Sequence, residues 1–214
     1  MEHPLHLFRF CPCCGSDLFE VNNFKSKKCG SCGFELYFNA QAATVALITD
    51  SQDRLLVARR AKEPAKGTLD LPGGFVDSFE TGEEGVSREV LEETGLKVTS
   101  LQYLFSLPNK YIYSGFEEHT LDLFYRCEVE DDTIVTAHDD VCELQWLPLS
   151  EINPQEFGLQ SIRNGVTKFI DEIKKNRYFE IYEKDIYKRS SCTYRLQRHG
   201  TGPYIGYRQR VAHS

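Results

Sequence analysis

The sequence lacks an apolar run long enough to cross a membrane, and it lacks a recognisable signal peptide. We therefore expect no membrane partner and a cytoplasmic location. Internal repeats and low-complexity tracts are absent as well. Basic charge is scarce, because 25 Lys and Arg oppose 32 Asp and Glu and give a formal net charge of −7. An acidic field repels nucleic-acid phosphates, so we do not expect nucleic acid as a partner.

Cysteine, in contrast, is abundant near the N-terminus and occurs in pairs. Cys11 and Cys14 form one Cys-x-x-Cys knuckle, and Cys29 and Cys32 form a second one, with 14 residues between the two. Four thiolates at this spacing suit tetrahedral Zn²⁺. The alternative, a pair of disulfides, is disfavoured in a reducing cytosol. We predict a zinc ribbon over residues 1–38, with Cys13 as a spacer and with a role in stability or in forming a homodimer.

A helix is predicted shortly after the turn Pro72-Gly73-Gly74. Glycine lets the backbone of such a turn approach a ligand closely, because no Cβ is in the way. Thr81 and Glu84 have the spacing of a capping box, so the helix should begin at Gly82. We expect it to run to about Thr94, with Gly95 as its C-terminal stop.

Three carboxylates share one face of this predicted helix. Glu89, Glu92 and Glu93 stand at positions i, i+3 and i+4, where their like charges repel unless a cation lies between them. Magnesium prefers oxygen ligands of this kind. The alternative is an acidic helix face exposed to solvent, because runs of glutamates usually lie on the surface. We favour a site for Mg²⁺ or Mn²⁺.

The segment from Gly74 to Leu96 has the pattern G-x5-E-x7-REV-x-EE-x-GL. It resembles the signature of Nudix hydrolases, with every signature position filled. The resemblance implies an α/β fold, the Nudix α/β/α sandwich with a mixed sheet, over residues 39–178. It also implies that Glu80 and Arg88 form an ion pair that orients the helix, and that the Gly74 carbonyl joins the metal ligands. Together with the three glutamates, Glu80 and Arg88 make up the expected catalytic set.

The implied reaction is metal-dependent hydrolysis of the diphosphate linkage in a nucleoside diphosphate derivative. A ribbon before a Nudix box is similar to the NADH pyrophosphatase branch, which suggests NADH or ADP-ribose as substrate. That branch carries a Ser-Gln-Pro-Trp-Pro-Phe-Pro-like array downstream, whereas Phe105–Tyr113 here reads FSLPNKYIY. Two alternatives stay open: a nucleoside triphosphate pyrophosphatase, and a non-catalytic nucleotide sensor that contacts nucleic acid.

The rest of the chain supplies a scaffold for the box. At 214 residues and 41% hydrophobic content, one substantial core and a small metal-held module can form. Strands are predicted by β-branched and aliphatic runs at residues 44–48, 54–58, 98–105, 119–129 and 143–147. Residues 161–174 have apolar residues at helical spacing. Residues 179–214 form a basic, Tyr-rich C-terminal extension that we expect to be poorly ordered.

Candidate substrate-binding residues surround the box in sequence; they are Arg59, Arg60, Gly73, Gly74, Tyr111 and Tyr113. An Arg at a strand end can bind a phosphate through two hydrogen bonds, although a surface ion pair is an equal alternative. The tyrosines can stack on a base or pack in the core. Glu143 is the candidate for a further magnesium ligand, against the alternative of a solvated acidic loop.

Overall fold

A small antiparallel sheet comes first along the chain of this computed structural model. It contains β1 (Phe19–Asn23), β2 (Ser26–Cys29) and β3 (Glu35–Tyr37) in the order β1-β2-β3. Its buried hydrophobic cluster is small and comprises Cys11, Phe19 and Cys29, with Leu36 partly buried against them. A core of this size supplies little hydrophobic stabilisation, so the module needs a further constraint.

Two three-stranded sheets follow. Their strands are β4 (Gln41–Ile48), β5 (Arg54–Arg60), β6 (Leu69–Asp70), β7 (Val98–Tyr113), β8 (Phe116–Val129) and β9 (Val141–Pro148). The first sheet has the order β4-β8-β7, with β4 parallel and β7 antiparallel to β8. The second has the order β6-β5-β9 and is antiparallel. The expected mixed sheet is therefore confirmed.

Helix α1 (Gly82–Thr94) has the predicted bounds. Thr81 accepts a hydrogen bond from the backbone N–H of Glu84, and the Glu84 side chain accepts one from the N–H of Thr81, which completes the capping box. Gly95 ends the helix with a φ of 73°, in the left-handed region that glycine adopts without strain. A short 3₁₀ helix (Pro154–Glu156) and a helix over residues 160–176, α2, follow the last strand.

The two helices lie against opposite faces of the mixed sheet. Val86 and Val90 of α1 pack in one core cluster with Tyr125 of β8. The neighbouring residue Phe124 points to the other face, because successive side chains of a strand alternate. There its ring lies against Gly165 of α2, so close that a Cβ on Gly165 would come within 2.2 Å of Phe124 Cε1. The fold is an α/β sandwich with helices on both sides.

The β7–β8 hairpin is longer than the predicted strands. Its turn residues Ser114 and Gly115 have φ values of 50° and 78°, which is the signature of a tight type I′ turn. Strand β7 continues through Pro108, which removes one backbone donor. This is tolerated because β7 lies at the edge of its sheet.

The structure describes residues 2–130 and 141–176. The chain divides into two compact units, Met1–Phe169 and Ile170–Ser214, and all the strands described above belong to the first. The predicted C-terminal extension at 179–214 lies outside the described residues, and the domain boundaries at 38 and 178 stay predictions. In the described part of the chain, no helix combines the length and apolar character needed to cross a membrane.

Candidate active site and cysteine cluster

The glycine turn before α1 is held against strand β4 by backbone hydrogen bonds. Thr44 N–H donates to the Gly74 carbonyl over 2.7 Å, and Ala46 N–H donates to the Pro72 carbonyl over 2.8 Å. At Gly73 the φ is 146°, and a Cβ there would come within 2.1 Å of the Thr44 carbonyl oxygen. The turn therefore requires glycine both for its conformation and for its closeness to β4.

Two of the three predicted metal-binding glutamates lie against this turn. Glu93 is only 7% exposed, and its Oε2 accepts a hydrogen bond from Gly73 N–H over 3.0 Å. The carboxylate of Glu89 lies beside Gly74, where a Cβ would come within 2.6 Å of the Glu89 Cδ and Oε1 atoms. The turn and the C-terminal half of α1 thus form one surface that carries backbone amides and carboxylates.

Arg88 ties α1 to the loop before it. Its Nε and Nη2 donate to Glu80 Oε1 and Oε2 over 2.9 and 3.0 Å, and Nη2 also donates to the Phe75 carbonyl over 3.0 Å. The Arg88 guanidinium, followed by the backbone N–H of Asp77, lowers the pKa of Glu80. The hydrogen bonds that Arg88 donates to Glu80 in turn raise the pKa of Arg88. This bidentate pair fixes the orientation of the helix.

Arg88 also contacts the carboxylates of the expected metal site. Its Nη1 donates to Glu89 Oε1 over 2.8 Å and to Glu92 Oε2 over 3.0 Å, so the guanidinium offsets the repulsion between these two side chains. In the described residues, the three glutamates do not bring one oxygen each within 4.8 Å of one another. The donor set itself, carboxylates beside a glycine carbonyl, has the chemistry that Mg²⁺ and Mn²⁺ prefer.

The Gly74 carbonyl, which is the fourth predicted metal ligand, is hydrogen-bonded to β4. It accepts a hydrogen bond from Thr44 N–H over 2.7 Å and a longer one from Thr44 Oγ1 over 3.3 Å. A carbonyl oxygen has two lone pairs, so a metal ion bound to this oxygen would take the place of the longer hydrogen bond.

A cavity opens beside the glycine turn. Its floor includes Ala43 and Val45 of β4, and Gly73, Gly74 and Tyr111 line it as well. Its other charged and polar lining residues are Thr44, Arg60, Asp70, Glu93, Asn109, Thr120 and Asp122. The expected metal-binding glutamate Glu93 is the member of this set that belongs to α1. A ligand in the cavity would therefore lie next to α1.

The two consecutive arginines of β5 take different positions. Arg60 lines the cavity, donates through Nε to the Pro64 carbonyl over 2.7 Å, and forms an ion pair with Asp70. Burial raises the pKa of Asp70 despite this ion pair. Arg59 points away from the cavity lining and donates to Glu143 Oε2 over 2.9 Å and to the Gly67 carbonyl over 2.8 Å. Successive strand residues face opposite sides, which explains the difference.

Among the candidate substrate-binding residues and the further magnesium ligand predicted outside α1, three do not line the cavity. Glu143 is paired with Arg59 and its side chain is 54% exposed. Tyr113, next to the hairpin turn, is 56% exposed. Arg59, Tyr113 and Glu143 therefore lie apart from the surface formed by the glycine turn and α1.

Sequence reasoning missed a polar group on the cavity face of β8. Thr120 and Asp122 are 3% and 4% exposed, on the same face as the fully buried Phe124. Thr120 Oγ1 donates to Asp122 Oδ1 over 2.5 Å, and Ser161 Oγ donates to Asp122 Oδ2. Burial raises the pKa of Asp122 even so. The signal in the sequence was the alternation of Thr120 and Asp122 with Leu121 and Leu123. It places the two polar side chains on the same face of the strand as the core residue Phe124.

The four knuckle cysteines converge as the zinc prediction requires. Their sulfur atoms all lie within 4.8 Å of one another, with Cys11 Sγ 3.7 Å from Cys32 Sγ and Cys14 Sγ 3.6 Å from Cys29 Sγ. All four are free thiols, and so is the exposed Cys13 outside the cluster. This arrangement fits a tetrahedral Zn²⁺ site.

The thiols of this cluster have unequal acidity. The backbone N–H of Cys32, followed by that of Ser31, lowers the pKa of Cys29 to about 6. For Cys32, the N–H of Phe34 acts to lower the pKa, but the neighbouring thiol of Cys14, burial and the other two thiols raise it to about 12. One thiolate forms readily and the next is opposed by its charge, so a bound cation is what would stabilise all four thiolates.

The model of the NUDIX domain family matches residues 39–168. The chain therefore belongs to this family. It is 32% identical over 146 residues to the NAD-capped RNA hydrolase NudC of Deinococcus radiodurans, with 67% of this chain and 50% of that protein covered. It is 30% identical over 161 residues to the ADP-ribose pyrophosphatase of Methanocaldococcus jannaschii, with 71% of this chain and 92% of that protein covered.

The fold agrees with solved members of the family. The crystal structure of a MutT NUDIX hydrolase from Burkholderia pseudomallei superimposes with a TM-score of 0.53 at 23% identity, over 61% of this chain and 98% of that one. The chain spans about half the length of the curated NudC relatives that it matches.

Proposed function

We propose that this protein hydrolyses the diphosphate linkage of a nucleoside diphosphate derivative with an ADP moiety, such as NADH or ADP-ribose. The observation that carries the proposal is the junction of α1 with the glycine turn, where Glu89 and Glu93 meet the backbone of Gly73 and Gly74 beside a polar cavity. The names of the two relatives described above, hydrolases of NAD-capped RNA and of ADP-ribose, support this substrate class.

The residues proposed to hold Mg²⁺ or Mn²⁺ are Glu89, Glu92 and Glu93, with the Gly74 carbonyl. When bound, such an ion neutralises diphosphate charge and acidifies a water that can attack phosphorus. Arg88 now bridges Glu89 and Glu92. Its remaining contacts, to Glu80 and the Phe75 carbonyl, hold the helix when the two glutamates act as ligands.

Glu93 has the most constrained position of the three glutamates. One of its oxygens, Oε2, accepts the Gly73 N–H, and this hydrogen bond orients the carboxylate. The same hydrogen bond couples the carboxylate to the cavity wall, because Gly73 lines the cavity. We propose Glu93 as the carboxylate on which turnover depends most.

The cavity is proposed to bind the part of the substrate beyond the diphosphate. Arg60 supplies a positive charge there, but its partner Asp70 offsets that charge. With Asp122 and Glu93 also present, the lining is acidic on balance, which favours a neutral base over a phosphate. For the cysteine cluster we propose a structural Zn²⁺ bound by Cys11, Cys14, Cys29 and Cys32, because the ribbon core has so few buried side chains.

Replacement of one glutamate tests the proposal. With Mg²⁺ in excess, wild-type protein should convert NADH to AMP and reduced nicotinamide mononucleotide, and ADP-ribose to AMP and ribose 5-phosphate. We expect Glu93→Gln to lower kcat by at least about 100-fold, since it removes a charge aimed at the reacting centre. Glu84→Gln is the matched control, because it removes a carboxylate from the same helix while glutamine still completes the capping box.

The products decide between the candidate activities. Release of pyrophosphate and a nucleoside monophosphate from nucleoside triphosphates, with no cleavage of dinucleotides, would replace the proposal with the triphosphate pyrophosphatase. Nucleic-acid binding without hydrolysis of any member of the panel would replace it with the sensor. Undiminished turnover by Glu93→Gln would remove that residue from the mechanism.

A further inference from the structure

The cavity lining includes a group of polar side chains from β7 and β8, separate from the glutamates of α1. Asn109 of β7 and Thr120 of β8 are cross-strand neighbours, and Asp122 follows two residues later on the same face. All three are buried and all three line the cavity. Buried polar side chains on a sheet face that otherwise forms the core are costly unless each one is hydrogen-bonded.

The Asp122 carboxylate accepts hydrogen bonds from Thr120 and Ser161. Burial raises the pKa of Asp122, and the side chains of Ser161, Thr120 and Asn109 act against this rise. The amide oxygen of Asn109, Oδ1, is buried without a hydrogen-bond partner, and among the described residues it is the one side-chain N or O atom in this condition. Asn109 is 8% exposed and lines the cavity, so its amide belongs to the wall that a ligand would contact.

The unpaired buried side-chain atom in this part of the cavity lining is an acceptor. Asn109 Oδ1 and the Asp122 carboxylate accept only, and the proton of Thr120 Oγ1 is already donated to Asp122. A phosphate or carboxylate would be repelled here. An amino group on a planar ring or amide presents N–H donors and no acceptor, so it is the neutral group that matches this site best.

We propose that Asn109 is a specificity-determining residue, whose Oδ1 accepts a hydrogen bond from an amino group of the substrate, either on the base or in a carboxamide. The proposal rests on the hydrolase function proposed above. A substrate with an oxo group at that position would place an acceptor against Oδ1 and leave both oxygens unpaired. Sites of this kind reject such analogues strongly, because buried polar groups lose their partners.

Three dinucleotides that differ by single groups test this proposal. NADH carries both amino groups, deamino-NADH replaces the 6-amino group of adenine by an oxo group, and the 3-acetylpyridine analogue replaces the carboxamide NH₂ by CH₃. We expect wild-type protein to discriminate against one of the two analogues by about 10- to 100-fold in kcat/KM. The analogue that is rejected identifies which amino group Asn109 binds.

The variant Asn109→Leu should bring that ratio close to one, because it removes the acceptor while keeping a similar side-chain shape. A general defect would instead slow all three substrates equally and leave the ratio unchanged. Gln102→Leu is the matched control, since it removes an amide from an exposed position of the same strand, and it should keep the wild-type ratio. Thermal melting of each variant shows whether it folds. The kcat/KM ratio of the wild-type protein tests the proposal even if a variant does not fold.

Equal kcat/KM for all three dinucleotides in the wild-type protein would overturn the proposal while leaving the hydrolase function intact. So would a ratio that survives in a folded Asn109→Leu protein. Failure to cleave any dinucleotide would overturn the hydrolase function itself, and the specificity proposal with it.

Discussion

Substitution of Gly73 by Ala should damage both stability and turnover, because this residue joins strand β4 to the carboxylate of Glu93. The added Cβ would lie 2.1 Å from the Thr44 carbonyl oxygen and 3.0 Å from Val45 Cα, both of which are backbone atoms that cannot rotate away. The φ of 146° is also one that an L-residue rarely adopts.

The expected magnitude follows from these two effects. Backbone strain at such a φ costs about 1–3 kcal/mol, and an overpacked contact that forces the backbone to shift costs about 1–3 kcal/mol more. The free energy of unfolding should therefore fall by about 2–6 kcal/mol, which lowers the Tm by on the order of 10 °C in a chain of this size. A turn displaced from β4 also moves the Gly73 N–H from Glu93, and a shift of about 1 Å at such a site can lower kcat by about 100-fold.

Urea denaturation and NADH hydrolysis measure the two effects, with Gly115→Ala as the control. Gly115 has a φ of 78°, but no atom lies within 4 Å of the position its Cβ would take. That variant should lose only about 1–2 kcal/mol from backbone strain and keep its kcat. Equal losses of stability in the two variants would show that contact with Thr44 is not what requires glycine. An unimpaired kcat in Gly73→Ala would refute the role of the turn in positioning Glu93.

Two further predictions concern the cysteine cluster and the Glu80–Arg88 pair. Cys29→Ser should lower the zinc content measured by elemental analysis and the thermal stability of residues 1–38, whereas Cys13→Ser should change neither, because Cys13 lies outside the cluster; zinc retained by Cys29→Ser would contradict the four-thiolate site. The pKa of Glu80 is lowered from 4.5 in the folded state, so this carboxylate binds fewer protons in the folded protein than in the unfolded one. Its contribution to the free energy of unfolding is therefore present above pH 4.5 and is lost as the pH falls through the folded pKa. The difference in unfolding free energy between wild type and Glu80→Gln should accordingly shrink from pH 7 to pH 3, and a difference independent of pH would exclude this linkage.

Local patterns in the sequence were sufficient for the Nudix helix and for the cysteine knuckles. Thr81 and Glu84 predicted the first turn of α1, and Gly95 predicted its end, because capping depends on residues within one helical turn. Gly15 and Gly33, each directly after a knuckle, have φ values of 75° and 77°, the conformation that the tight turns require. In both cases the atoms that interact are close in sequence.

Strand lengths and the choice between neighbouring residues were harder to predict. The run at 98–105 continues to Tyr113, past Pro108, because β7 is an edge strand, and edge position depends on which strands pair. Arg59 and Arg60 looked equivalent, yet only Arg60 lines the cavity, because their side chains leave β5 on opposite faces.

The sequence by itself determined that this chain carries a carboxylate-rich helix behind a glycine turn and a four-cysteine cluster, since each depends on spacing within a short segment. Only the tertiary structure decided which residues surround the cavity. Asn109, Asp122 and Ser161 are far apart in the chain, and they meet because β7 pairs with β8 and because α2 packs across β8. The unpaired oxygen of Asn109 exists only in that arrangement, because hydrogen-bond satisfaction depends on every neighbour in space.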